Sequence, residues 1–181
     1  MPVYAYDGRR PRIAADAFVH PDAVLIGDVR IGSEASVWPT AVLRGDFGHI
    51  TVGARTSIQD GTVIHTTEEW PTTIGDECVV GHNAHLEGCT VEDFCLIASM
   101  STVLNRVTVG THSVVAAAAL VPEGTTVPAR SMVVGVPGRI RPLTGDAHVE
   151  RIGFGVQHYA EAAAQYRKLM EPVALEDCRE R

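Results

Sequence analysis

Residues 89–133 read CTVEDFCLIASMSTVLNRVTVGTHSVVAAAALVPEGTTVPARSMV, and one spacing runs through them. Val91, Ile97, Val103, Val109, Val115, Val121, Val127 and Val133 recur every six residues. Toward the N-terminus the series continues through Leu86, Val80 and Ile74, with one residue lost between Leu86 and Val91. Beyond a longer connection it resumes at Ile64, Ile58 and Val52, and beyond another at Leu43, Val37, Ile31, Leu25 and Val19. Every member is Leu, Ile or Val. The residue two before each is small as a rule (Ala23, Ala35, Ala41, Thr56, Thr62, Ser101), with Ile50 the bulky exception. Residues two apart in a short strand point to one side. An inward aliphatic and an inward small residue every six positions therefore describe an all-β solenoid, a parallel β-helix of hexapeptide repeats. Glycine after several of the aliphatics (Gly32, Gly53, Gly75, Gly81, Gly110) reads as a tight corner needing an unusual backbone.

After Pro137-Gly138 the period changes. Val149, Ile152, Val156, Tyr159, Ala163, Tyr166 and Met170 step by three or four, one face of a helix, with Asp146 near its start and Pro172 at its stop. That stripe needs a partner, so the helix is expected to pack along the solenoid. The chain divides into a β-helix over 1–140 and a C-terminal helix and tail over 141–181.

The remainder of the composition excludes several classes. With 181 residues, 45% apolar and 20% charged, the chain is globular in character. Its net charge is −7 and its longest basic run is Arg9-Arg10, which speaks against nucleic acid and anionic membrane as partners. No apolar span reaches membrane length, and Met1-Pro2-Val3-Tyr4 does not open like a signal peptide. Cys78, Cys89 and Cys95 fall on the small inward position and read as buried small hydrophobes, while Cys178 lies in the charged tail. Four cysteines without a CxxC pair suggest a reducing compartment, so the expected location is cytoplasmic.

Function concentrates where a solenoid departs from its period. The departures here are Arg44 to Thr51 and Thr66 to Thr73. If three hexads make one coil, Leu43, Ile64 and Leu86 share a face, and the residues after them, Arg44, His65 and Glu87, form an outward polar column. Ile26 and Leu104 bound that column one coil away on either side. A second face carries Gln59 and Asp60 in one coil and Gly81 and His82 in the next. His85 points outward beside Glu87. A single solenoid cannot bring its two faces together, whereas a three-fold assembly sets one face of each chain against the other face of its neighbour. An inter-subunit metal site holding His65 and His82 follows as a geometric suggestion. For Arg44 and Asp60, a salt-bridge ladder between subunits is an equal alternative. His20, His112 and His148 read as ordinary polar surface residues.

Leu43-Arg44-Gly45-Asp46, Ile58-Gln59-Asp60-Gly61, Val63-Ile64-His65, Val80-Gly81-His82 and Val134-Gly135-Val136-Pro137-Gly138, in that order, resemble the γ-class carbonic anhydrase family across nearly the whole chain. The resemblance is to short members, without an acidic insertion after Asp46. It implies a left-handed β-helix, a homotrimer, and one metal per subunit interface, Zn²⁺ or alternatively Fe²⁺ or Co²⁺. It implies reversible hydration of CO2 to bicarbonate by metal-bound hydroxide. Carried over by position, His65 is a ligand from one subunit and His82 from its neighbour, and Gln59 holds the metal-bound water or bicarbonate. Arg44 and Asp60 pair across the interface, with Asp46 near them, and Tyr159 approaches from the helix. Where the family has its third histidine this chain has Glu87, and His85 stands two residues earlier; either completes the site, as three histidines or as two histidines and a glutamate. Glu68 or Glu69, in the loop after His65, is positioned to relay a proton.

Two other readings stand beside the enzyme. One is a metal-binding trimer without hydratase activity that acts as a partner protein, favoured by the exchange at Glu87. The other is a hexapeptide-repeat acyltransferase using a CoA thioester, against which count the short connections and the single lysine, Lys168.

Overall fold

The computed structural model describes residues 2–179. The chain winds as a left-handed parallel β-helix closed by one C-terminal helix, Ala147–Leu169. Three faces recur in each coil. The first carries Val24–Ile26, Val42–Arg44, Val63–His65, His85–Glu87, Thr102–Val103 and Leu120–Val121, paired in parallel in that order. The second carries seven parallel strands from Phe18–Val19 to Ser131–Val134. On the third, Val52, Ile74, Val91, Val109 and Val127 stack in register.

The hexad reading is confirmed residue by residue. Leu25, Leu43, Ile64, Leu86, Val103 and Val121 pair successively on the first face and are fully buried. The small positions are equally buried, and where they are hydroxyls they bond neighbouring carbonyls: Thr56 Oγ1 donates to Gly75 O at 2.7 Å, Thr62 Oγ1 to Gly81 O at 3.0 Å and Ser113 Oγ to Pro128 O at 3.0 Å. These three buried hydroxyls are thus partnered, as the desolvated interior requires. Cys78, Cys89 and Cys95 are buried and free, and burial pushes the Cys89 thiol up to about 12. On the outside of the third face Thr51, Thr73, Thr90, Thr108 and Thr126 stand directly over one another, a ladder of cross-strand threonine pairs.

Two expectations need correction. The backbone at the corners turns left-handed three residues before each aliphatic, at Glu34, Thr40, Arg55, Glu77, Asn83 and Met100 among others, and most of these are not glycine. The glycines after the aliphatics have a different cause: adjacent coils approach too closely for a side chain. A Cβ on Gly32 would lie 2.7 Å from Gly53 C, and one on Gly53 2.4 Å from Gly75 C. The second correction concerns Arg44 to Thr51, expected to leave the coil. Val42–Val52 is one continuous strand whose register against Val24–Ile31 slips between Gly27 and Asp28, so that Gly27 faces Gly45 while Asp28 faces His49. The three extra residues, 46–48, form an irregularity in the strand rather than a loop away from it. Thr66 to Pro71 does leave the coil, in a bend closed by Thr66 Oγ1 donating to Trp70 O at 2.8 Å.

The helix lies on the second face. Ile152 and Val156 pack on Val79, Val114, Leu96 and Met132, and Ala163 on Phe18 and Trp38. Trp38 donates from Nε1 to Ser36 and Ser57 Oγ, each at 3.0 Å, beneath Tyr159 and Tyr166. The last coil ends in an antiparallel return, Ser131–Val134 against Arg139–Pro142, which occupies the terminal edge. At the other end Val3–Tyr4 and Arg12–Ile13 pair with Val24–Ile31. No helix among the described residues is long and apolar enough to cross a membrane.

Candidate metal centre

The outward column on the first face is present as read. Arg44 pairs with His65 in register and His65 with Glu87. The irregularity after Gly45 adds Asp46, which swings back over the column. Asp46 Oδ1 lies 3.3 Å from His65 Nε2, its other oxygen accepts from Arg44 Nη1, and Glu87 Oε1 lies 3.1 Å from His65 Nδ1. Both ring nitrogens of His65 therefore face carboxylates. A neutral imidazole has one N–H and satisfies only one of them. The arrangement calls for positive charge at the other nitrogen.

Asp46 is largely buried. Burial raises its pKa, but hydrogen bonds from Arg44, the backbone and His65, with the Arg44 charge, overcome that and hold it below the usual carboxylate value. Arg44 thus pairs with Asp46 inside one chain. His85, half-exposed, reaches the far oxygen of the same glutamate, Nε2 to Glu87 Oε2 being 3.5 Å. Thr72 Oγ1 donates to His65 O at 2.5 Å, fixing the strand end that carries the histidine.

The second group lies in the corner turn that ends the second face. His82 stands one coil above Asp60 and its Nδ1 is 2.9 Å from Asp60 Oδ2. A carboxylate on Nδ1 leaves Nε2 as the outward lone pair, the usual orientation of a metal-binding histidine. Gln59, buried beside Asp60, lines the same groove as Tyr159. Burial, then the Asp60 charge, raises the Tyr159 pKa against an opposing influence of the nearby Gln59 amide, so the phenol stays protonated at neutral pH. A groove of about 410 Å³ opens beside His82, with Leu96 and Ala98 in its floor and Arg151, Phe154, His158 and Tyr159 from the helix along its wall. Arg151 and Phe154 carry no motif and were not legible in the sequence.

The structure thus brings together Arg44, His65, His85 and Glu87 on one face, and Gln59, Asp60, His82 and Tyr159 at another. Among the described residues no three His, Cys, Asp or Glu side chains of one chain form a metal-binding group. Glu68 is exposed in the bend and makes no hydrogen bond or ion pair with the column among the described residues. Of the histidines read as plain surface, His112 lies tilted against Phe94 with centroids 4.8 Å apart, and His148 has its Nε2 buried without a partner among the described residues.

Comparisons with known proteins bear on the family of the chain and on its fold. No family model matches the chain. It is 39% identical over 178 residues to Gamma carbonic anhydrase 1, mitochondrial, of Arabidopsis thaliana, covering 94% of this chain and 62% of that protein. It is 35% identical over 167 residues to Carnitine operon protein CaiE of Salmonella agona, covering 92% of this chain and 84% of that one. The solved structure of a hexapeptide transferase family protein from Anaplasma phagocytophilum superposes with a TM-score of 0.88 at 32% identity, over 91% of this chain and 98% of that one. The chain spans about three fifths of the length of the Arabidopsis relative. Sequence and fold together place it: the chain belongs to the γ-carbonic anhydrase-like family of hexapeptide-repeat β-helix proteins.

Proposed function

We propose that this protein hydrates CO2 reversibly to bicarbonate at a divalent metal held between the subunits of a homotrimer, in a reducing, cytoplasmic compartment. The observation that carries the reading is a pair of half-sites on adjacent faces of one coil stack. One presents His65 between two carboxylates, the other His82 oriented by Asp60. The donor set fits a zinc-type cation: imidazoles with their second nitrogens on carboxylates, in a basin of negative charge. His65 of one subunit and His82 of the next would hold the metal, with a third donor from the strand His85–Glu87. A bound Zn²⁺ supplies a Lewis acid that lowers the pKa of a coordinated water to about 7.

The chain's own residues then do the rest. Asp46 and Asp60 fix the histidine tautomers. Arg44 balances Asp46 and keeps it ionised. Gln59, beside Tyr159 in the groove, presents an amide to the small planar product, and the apolar floor of the groove accepts CO2, which has no charge to solvate. Glu68, exposed above His65, exchanges the proton with solvent. Stopped-flow CO2 hydration by the metal-loaded trimer from about pH 6 to about pH 9 tests the proposal. Saturable turnover that falls at least tenfold in Gln59→Ala supports it, and no hydration at any pH with the metal fully occupied contradicts it. The second reading is a trimer that binds the metal without turnover. Glu87 favours it, because an anionic ligand leaves a coordinated water less acidic than a third imidazole does.

A further inference from the structure

Glu87 and His85 lie on one strand, two residues apart, on the same outward side. Only one of them stands against His65. The ladder register pairs Glu87 with His65, and His85 with Val63. Glu87 Oε1 is 3.1 Å from His65 Nδ1, and Glu87 Oε2 is 3.5 Å from His85 Nε2. The glutamate therefore has one oxygen at the part-buried His65 and the other at the half-exposed His85. In the tautomer that donates from Nε2 to Asp46, Nδ1 is the lone pair available to a cation, and Nδ1 is the atom that Glu87 faces.

Charge points the same way. Across the two half-sites Arg44 contributes one positive charge, and Asp46, Glu87 and Asp60 contribute three negative ones. With neutral histidines the sum is −2, the complement of a divalent cation. A histidine at position 87 would leave −1.

We propose that the metal site of this protein is a two-histidine, one-carboxylate set, His65 and Glu87 from one subunit and His82 from the next. His85 is a positioning residue that holds the free oxygen of Glu87 and does not touch the metal. The inference rests on the shared-metal reading above and goes further by naming the third donor and the metal class. Carboxylate oxygen is harder than imidazole nitrogen, and two histidines with one carboxylate suit Fe²⁺, Mn²⁺ and Co²⁺ better than three histidines do. The exchange thus shifts selectivity away from zinc relative to a three-histidine site.

The test reads metal binding, not turnover. Metal-stripped wild-type trimer, Glu87→Gln, Glu87→His and His85→Ala are titrated separately with Mn²⁺ and Zn²⁺, and bound metal is measured by mass spectrometry after dialysis. Wild type is expected to bind both. Glu87→Gln should lose affinity by more than about a hundredfold, and His85→Ala by about tenfold to a hundredfold, the range for residues that orient a ligand. Glu87→His should raise the preference for Zn²⁺ over Mn²⁺ at least tenfold. This last variant keeps the test decisive even if Glu87→Gln fails to assemble. If Glu87→Gln retains wild-type affinity, if His85→Ala loses as much as Glu87→Gln, or if Glu87→His leaves the preference unchanged, the assignment is overturned while the shared site stands. A wild type that binds neither metal overturns the shared site itself.

Discussion

Asp28 shows what single side chains contribute at the N-terminal end of the solenoid. It accepts from Arg12 Nη2 at 3.1 Å and from Arg30 Nη2 at 3.4 Å. Burial raises its pKa, and the two arginines more than reverse that, leaving it below its ordinary 3.8. A carboxyl whose folded pKa is depressed contributes stability above its unfolded pKa and loses it as pH falls through the folded one. Asp28→Asn should therefore cost about 1 kcal/mol at neutral pH, and the difference from wild type should shrink toward zero as the pH is lowered below about 3.8. Urea unfolding at both pH values checks this; a difference that does not change with pH contradicts it. The same scale shows what the sequence could and could not reveal. Inward Leu86 or Ile64 announces itself by type and period. The left-handed corner does not, because Glu34, Arg55 and Met100 adopt it with ordinary side chains and are enforced by the coils above and below. The Asp46–His65 contact was also hidden, since it depends on a register slip at Gly27 that no hexad count contains.

At the scale of elements, helix Ala147–Leu169 is the wall of the candidate site as well as the cover of the second face. Its period was plain in the sequence, and its bounds fall within a few residues of those expected from Asp146 and Pro172. Which face it would cover was not legible, because all three faces present aliphatic interiors and differ only in what they show to solvent. Ser36, Ser57 and Trp38 settle it by making an aromatic seat for Tyr159 and Tyr166. Ile152 is fully buried between helix and solenoid. Ile152→Ala should destabilise the fold by about 2–4 kcal/mol through lost burial and the cavity left behind. It should also loosen Tyr159 over Gln59, so CO2 hydration should fall severalfold while bound metal stays at the wild-type level. Calorimetry and metal analysis on the same sample check both halves. Loss of metal in this variant would show the helix to be part of the metal's own support.

On the scale of the whole molecule, the proposed ligands His65 and His82 lie on two different surfaces of one chain. The period made the solenoid, the stacking of Arg44, His65 and Glu87, and the separation of His82 onto another surface readable in advance. The proposed closing of two half-sites into one would be a property of an assembly. It leaves no periodicity in a single sequence. The direct measurement is subunit mixing. His65→Ala and His82→Ala homotrimers should each be empty, since every interface lacks one histidine. Unfolded together, refolded and loaded with Zn²⁺, they form mixed trimers in which one interface of three joins an intact His65 to an intact His82. The account predicts that metal binding reappears at one site in each mixed trimer. If mixing restores no metal although wild type binds it, the two histidines do not meet across an interface and the shared site is wrong.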